Sequence, residues 1–251
     1  MRLTRIHVDA ALTSGEMLQL PADAAQHLVR VLRLPVGAAL RVFNGHGGEW
    51  DASIETSARN AVCIRVGAHH AIERESLLQV TLLQGIARGE KMDLILQKAT
   101  ELGVTAVVPV TTMRCTVRLD ADTAARKHAH WTGVLAGACE QSGRNRVPAL
   151  GAATSLAAAI GADQSRLKLL LEPDGDAASL KARFAATFHA AMRNPSVCLL
   201  VGPEGGMDPQ EVQLARQAGF VSCQLGPRVL RTETAALAAL AAMQTLAGDF
   251  G

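Results

Sequence analysis

Two stretches near the C-terminal end, Gly202-Pro203-Glu204-Gly205-Gly206 and Leu230-Arg231-Thr232-Glu233-Thr234-Ala235, gather small residues, two acids and a guanidinium into short segments. Glycines leave backbone amides and carbonyls bare, so such loops can hold a ligand through main-chain hydrogen bonds. Each follows a strand-like run and leads into a helix-like one, and in open parallel sheets ligands bind at such strand ends. The first loop is not G-x-G-x-x-G, and Pro203 removes one backbone donor. Gly85-Ile86-Ala87-Arg88-Gly89-Glu90-Lys91 lacks the spacing of a G-x-x-x-x-G-K-[ST] loop, and no G-x-S-x-G elbow occurs. These absences argue against a nicotinamide dehydrogenase, a P-loop nucleotidase and a serine hydrolase. Bare backbone with one or two acids suits a neutral adenosine better than a pyrophosphate. The alternative is that Gly205 and Gly206 only make a tight turn and Glu233 only complements a helix N-terminus. Two such loops at neighbouring strand ends favour the nucleoside site.

The elements that must carry these loops are legible from periodicity. Apolar runs predict strands at Val80–Gln84, Ala106–Val110, Leu167–Leu171, Val197–Val201 and Ser222–Leu225, with the near-continuous Leu and Val content of strands buried on both faces. Between the first two, Met92, Ile95, Ala99 and Leu102 recur at helical spacing and Gly103 stands in the stop position, which predicts a helix over Glu90–Leu102. Asp208-Pro209-Gln210-Glu211 has the residues of a capping box with proline at the first helical position, and a helix from there should end at Gly219. A last helix runs through the alanine-rich stretch from Ala235 to Met243. Strands alternating with helices imply an α/β domain with a parallel sheet. Residues before about 72 read instead as short strands, Leu3–Val8, Ala39–Phe43, Trp50–Glu55 and Ala61–Val66, with turns at Asn44 to Gly48 and Arg59-Asn60. This is a small barrel interrupted by one helix over Ala22–Leu32, which places His27, Arg30 and Arg33 on one face. The domain boundary falls within Ala71–Ser76, giving units 1–72 and 73–251.

At 251 residues and 49% hydrophobic composition the chain can bury one large core or a large and a small one. Cys63, Cys115, Cys139, Cys198 and Cys223 are widely spaced, without a C-x-x-C pair or metal-ligand spacing, so they read as thiols of a reducing compartment and no metal is expected. The N-terminus lacks an apolar leader, and the expectation is a cytoplasmic protein. The formal net charge is only +2, so an argument for nucleic acid rests on clustering. Residues 114 to 146 hold six Arg or Lys against three acids. Aromatics at 3%, with no tyrosine, weigh against an open base-stacking platform.

The run Leu200-Val201-Gly202-Pro203-Glu204-Gly205-Gly206-Met207, followed by Leu225-Gly226-Pro227-Arg228-Val229-Leu230-Arg231-Thr232-Glu233-Thr234-Ala235, closely resembles the RsmE family, the 16S ribosomal RNA uracil-N3 methyltransferases of the SPOUT superfamily. The resemblance extends to His27-Leu28-Val29-Arg30-Val31-Leu32-Arg33, to Lys91-Met92-Asp93 through Gly103, and to Glu140-Gln141-Ser142-Gly143-Arg144, covering nearly the whole chain in order. It implies a PUA-like barrel that helps hold RNA and a SPOUT domain threaded into a trefoil knot, which chain-topology rules alone would reject. It also implies a homodimer with S-adenosylmethionine as cofactor, acting on 16S rRNA, either free or within the 30S subunit. By position, cofactor contacts fall on Leu171, Glu172 and Pro173, on Leu200, Val201, Gly202, Gly205 and Gly206, and on Leu225, Gly226, Leu230, Thr232, Thr234 and Ala235. Methylation of a uracil imide nitrogen needs its proton removed and charge on the flanking carbonyls stabilised. Arg231 is the candidate cation, and Glu204 or Glu233 the candidate base or cofactor-holding acid. Arg2, Arg5, His27, Arg30, Arg33, Lys91, Arg114 and Arg144 are the candidate RNA phosphate contacts. Ribose 2'-O methylation and a non-catalytic RNA-binding assembly factor are the competing readings.

Overall fold

A computed structural model describes residues 3–58, 61–172, 177–188 and 195–251. Arg2, Pro173 and the Arg59-Asn60 turn lie outside the described residues. The chain divides into two compact units, 1–75 with 136–147, and 76–135 with 148–251. The division between Glu75 and Ser76 lies within the expected Ala71–Ser76 boundary, three residues past position 72, and the first unit also takes Ala136–Val147, which periodicity did not suggest.

The first unit contains β1 (Thr4–His7), β2 (Met17–Gln19), α1 (Ala22–Gln26), β3 (Ala39–Phe43), β4 (Glu49–Ala58) and β5 (Ala61–His70). They form a sheet in the order β1-β3-β4-β5-β2, antiparallel except for β1 against β3. Register shifts in β4 at Trp50/Ala52 and Ile54/Thr56 bend the long hairpin, as bulges do. Alternating residues Leu40, Val42, Ala52, Ile54, Val62 and Ile64 point to one face and bury against Ala25 and Leu28. The three-residue β2 was too short to declare itself by alternation. The predicted helix over Ala22–Leu32 is two pieces: α1 stops at Gln26 and His27–Val31 form a π-turn. Arg33 then takes φ 52°, so it leaves the helix altogether. His27, Arg30 and Arg33 are exposed, but they do not share a helical face, because the wider π-turn and the left-handed residue break the three-residue spacing.

The second unit runs β6 (Gln79–Gly85), α2 (Glu90–Glu101), β7 (Ala106–Thr111), α3 (Ala121–Ser142, whose residues from Ala136 on belong to the first unit), β8 (Ala149–Leu150), β9 (Thr154–Ser155), α4 (Leu156–Ala162), β10 (Leu167–Leu171), β11 (Ala178–Ser179), α5 (Leu180–Thr187), β12 (Ser196–Val201), α6 (Pro209–Gln217), β13 (Val221–Gln224) and α7 (Thr232–Ala247). All sheet pairings here are parallel, in the order β11-β13-β10-β12-β6-β7-β8 with β9 also on β7. Val197 to Val201 are buried without interruption, as expected of a strand covered on both faces. Leu83, Leu170, Cys198 and Leu200 pack with Leu156, Ile160, Ala215 and Phe220 on one side of the sheet. Opposite them α7 packs on α2, and the close approach has a visible cause: Ala236 and Ala239 are small, and the buried Gln244 donates to the Leu102 carbonyl at 3.0 Å and accepts from Ser76 Oγ at 2.8 Å. At the head of α6, Gln210 N donates to Asp208 at 3.0 Å and Asp208 N to Glu211 at 3.1 Å, the capping box that the sequence predicts. No helix of the described residues is long and apolar enough to cross a membrane.

Candidate functional site: a cavity at the strand ends

Because β13, β10, β12 and β6 are adjacent and parallel, their C-terminal ends open side by side. The segments that leave them line a cavity of about 890 Å³: Leu171 and Glu172 after β10, Val201 to Glu204 with Gly206 and Met207 after β12, and Gln224 to Gly226 with Arg228 to Thr232 after β13. Val212, Gln213 and Arg216 of α6 and Ala235 of α7 complete the wall, with Lys91 and Arg114 at its edge. The volume suits a ligand of drug or nucleoside size. Apolar surface from Leu171, Val201, Met207, Val212, Leu225 and Leu230 stands beside main-chain polar groups, a mixture for a flat base and its sugar.

Two glycines shape this cradle. Gly226 has φ 93°, a left-handed turn that other residues enter only with strain. Gly85 ends β6 against the first loop: a Cβ there would stand 2.5 Å from Pro203 N and 2.6 Å from Pro203 Cδ. The loop therefore lies directly on the β6 backbone. Pro203 has no N–H to leave unsatisfied in that contact.

The carboxylates are held rather than free. Glu204 accepts from the Arg88 N–H at 3.0 Å and pairs with Lys91 Nζ at 3.2 Å. Desolvation raises its pKa, but the hydrogen bonds and Lys91 together outweigh that and hold the carboxyl below its ordinary range. Glu172 accepts from Ser222 Oγ and from Arg216 at 2.9 Å. Glu211, besides capping α6, accepts from Met113 N at 2.8 Å and so ties the segment after β7 to the head of α6. Glu233 does not line the cavity; its Oε2 is buried without a hydrogen-bond partner among the described residues, 3.9 Å from Lys91 Nζ. Cys223 lines the cavity, but burial pushes its thiol up to about 12, Arg183 opposing and Glu172 adding to the rise, so it is a neutral wall and not a thiolate nucleophile. Among the described residues no His, Cys, Asp or Glu cluster could hold a metal.

Of the expected cofactor contacts, Leu171, Glu172, Val201, Gly202, Gly206, Leu225, Gly226, Leu230, Thr232 and Ala235 line the cavity. Leu200 does not: it is wholly buried in the core one residue before the strand end, and its side chain faces the sheet packing. Gly205 packs instead against the Arg114 backbone, and Thr234 is exposed on α7 away from the cavity. Arg231 lines it as the residue preceding α7, exposed and without an ion pair among the described residues. Lys91 and Arg114, expected on RNA, stand at the cavity edge, Arg114 3.5 Å from Asp208.

Two expected RNA contacts are corrected. Arg5 is 8% exposed and pairs with Glu49, and it also donates to the Arg144 carbonyl at 3.0 Å and to Asn145 at 2.6 Å. Arg144 is 5% exposed and pairs with Glu75 at 2.5 Å. Both guanidiniums hold the first unit together, because a buried charge must be paired where it lies. Sequence reasoning also missed Arg216 and Arg228 in the wall. Arg228 had a signal, since it stands between two cavity-lining segments. Arg216 had none beyond one face of a helix.

The RNA methyltransferase domain family matches residues 73–244 and the RNA methyltransferase PUA domain family residues 20–67. A Legionella pneumophila protein, solved in complex with the bound cofactor SAM, superimposes with a TM-score of 0.93 at 38% identity over 100% of both chains. The ribosomal RNA small subunit methyltransferase E of Neisseria gonorrhoeae, solved bound to S-adenosyl methionine, gives 0.87 at 37% identity, again over 100% of both. The Bacillus subtilis protein of that name is 31% identical over 99% of this chain and 98% of its own. A cavity built from the loops after three adjacent parallel strands, in a chain matched end to end by these proteins, establishes that it belongs to the ribosomal RNA small subunit methyltransferase E family of RNA methyltransferases.

Proposed function

We propose that the protein methylates N3 of a uracil in 16S rRNA, with S-adenosylmethionine held in the strand-end cavity. The observation that carries this reading is the cavity itself: bare backbone and apolar walls from the loops after β10, β12 and β13, in a fold shared over its full length with relatives solved with that cofactor. The residues present fit the group. Leu171, Val201, Leu225 and Leu230 offer apolar surface to a base, and the loop backbones offer hydrogen bonds. When bound, S-adenosylmethionine supplies an electrophilic methyl group.

The chain's own residues then have distinct work. Glu204 stays ionised and engaged with Arg88 N and Lys91, which makes it a holding residue and a poor base. Glu233 lies off the cavity, so neither acid is assigned to take the N3 proton. Arg231 stabilises the imide anion on the uracil carbonyls, which lowers the proton's pKa enough for release to solvent. His27, Arg30 and Arg33, exposed in the first unit, are assigned to RNA phosphates, and Lys91 and Arg114 to the approach of the target strand. The same reading carries a homodimer, a trefoil-knotted second unit, a 30S substrate and a cytoplasmic location.

The test is transfer of tritiated methyl from S-adenosylmethionine to naked 16S rRNA and to 30S particles from a strain lacking the enzyme, followed by nucleoside analysis. Label in 3-methyluridine from 30S particles is expected. Label on ribose would reject the N3 assignment, and no label on either substrate would reject the enzyme reading.

A further inference from the structure

Gln84 is wholly buried near the end of β6, among apolar neighbours. Its amide nitrogen donates to the Gly85 carbonyl at 2.9 Å and to Thr232 Oγ1 at 3.0 Å, and Thr232 Oγ1 donates to the Gly202 carbonyl at 2.6 Å. Chemistry fixes these directions. Carbonyl oxygens only accept, so the single hydroxyl proton of Thr232 goes to Gly202, and the hydroxyl must then accept from Gln84. The side-chain atom facing both Gly85 O and Thr232 Oγ1 must therefore be the NH2 group. Gln84 Oε1 is left buried without a hydrogen-bond partner among the described residues, which costs stability. What the side chain supplies to the fold is therefore its two donors.

The relay ties the end of β6, where Gln84 sits, to the head of α7 at Thr232, and through the Thr232 hydroxyl to the first loop at Gly202, the last two of which line the cavity. Gly202 and Thr232 are 30 residues apart in sequence and Gln84 is 148 from Thr232, so no local propensity holds them together. The geometry points to Gln84 as a positioning residue that locks the Gly202 loop to the head of α7 and so sets both ligand-holding loops before the ligand arrives. The inference rests on the cavity taking S-adenosylmethionine, as read above.

The test uses the full chain, calorimetry with S-adenosylhomocysteine as probe, and a double-mutant cycle. Gln84→Met removes the donors and also the unpartnered acceptor. It is expected to weaken the probe about tenfold or more while melting stays within a few degrees of the parent. Gln84→Glu, which puts carboxylate oxygens against two acceptors, is expected to weaken it further. Thr232→Val should lose affinity that Thr232→Ser largely recovers, and the Gln84→Met/Thr232→Val double variant should bind no worse than the weaker single. Unchanged affinity in Gln84→Met, or losses that simply add, would overturn the proposal. Hydrogen exchange without ligand decides independently: the lock predicts faster exchange at 202–206 and 230–235 in Thr232→Val with β6 and β12 still protected, and equal exchange refutes it. Failure of the parent protein to bind the probe would overturn the cofactor reading instead, leaving the exchange result to judge the lock.

Discussion

Gly85→Ala measures how tightly the first loop is laid on the sheet. The added Cβ would sit 2.5 Å from Pro203 N, 2.6 Å from Pro203 Cδ and 2.8 Å from Gly202 C, all backbone or ring atoms that cannot swing aside. An ordinary contact needs about 3.4 Å or more, so the loop must lift by roughly 1 Å. Overpacking of this kind costs about 1–3 kcal/mol, which in a chain of this size lowers the melting temperature by about 2–12 °C. The functional cost is larger, because a displacement of about 1 Å in a positioning element can lose roughly a hundredfold in rate. Gly206→Ala is the control. Gly206 has φ 71° but nothing within 4 Å of a Cβ, so it brings backbone strain of about 1–2 kcal/mol without moving β6 from the loop. Differential scanning calorimetry, S-adenosylhomocysteine titration and the tritium assay on both variants separate the two effects. If Gly85→Ala melts and binds like the parent, the contact between the end of β6 and Pro203 does not position the loop.

Three further outcomes follow from the charges. Arg5→Ala should destabilise the protein by about 3 kcal/mol in urea melts, the low end for a broken buried pair, since Arg41 and Arg74 remain 3.8 and 3.6 Å from Glu49. Burial raises the pKa of Glu49, but Arg5 and then Arg74 and Arg41 hold it lower than its ordinary 4.5. With the folded pKa depressed, this stability is present above pH 4.5 and is lost as pH falls through the folded value, so Arg5→Ala and parent urea curves should converge in acid. Arg231→Ala should keep S-adenosylhomocysteine affinity within a few fold while kcat falls about 10²–10³-fold, and a parallel loss of affinity would make Arg231 a binding residue instead. Arg30→Ala and Arg33→Ala should each reduce the slope of log affinity for rRNA against log salt by about one, whereas an unchanged slope would remove them from the interface.

Much of this fold and site is written in local sequence. The alternation of strands and helices, the capping box at Asp208 and the position of both loops at strand ends follow from local rules, since hydrogen-bonding periodicity and capping act within a few residues. The helix before Arg33 shows where local rules end: its apolar spacing continues, yet a π-turn and a left-handed residue redirect the exposed cations. Arg5 and Arg144 show a second limit. As isolated residues they are surface arginines, and only partners 44 and 69 residues away, Glu49 and Glu75, make them interior. Gln84 shows a third. In sequence it is one polar residue inside a strand, and its role exists only because β6 lies beside β12 and beneath the head of α7.

Local patterning along the chain specifies which segments become strands and which loops carry bare backbone, and its motifs carry the family resemblance. Tertiary structure decided which charges are available for chemistry, because availability depends on burial and on partners brought from far along the chain. It left Arg231 unpaired among the described residues, engaged Glu204 with Lys91, withdrew Glu233 from the cavity and buried Arg5 and Arg144.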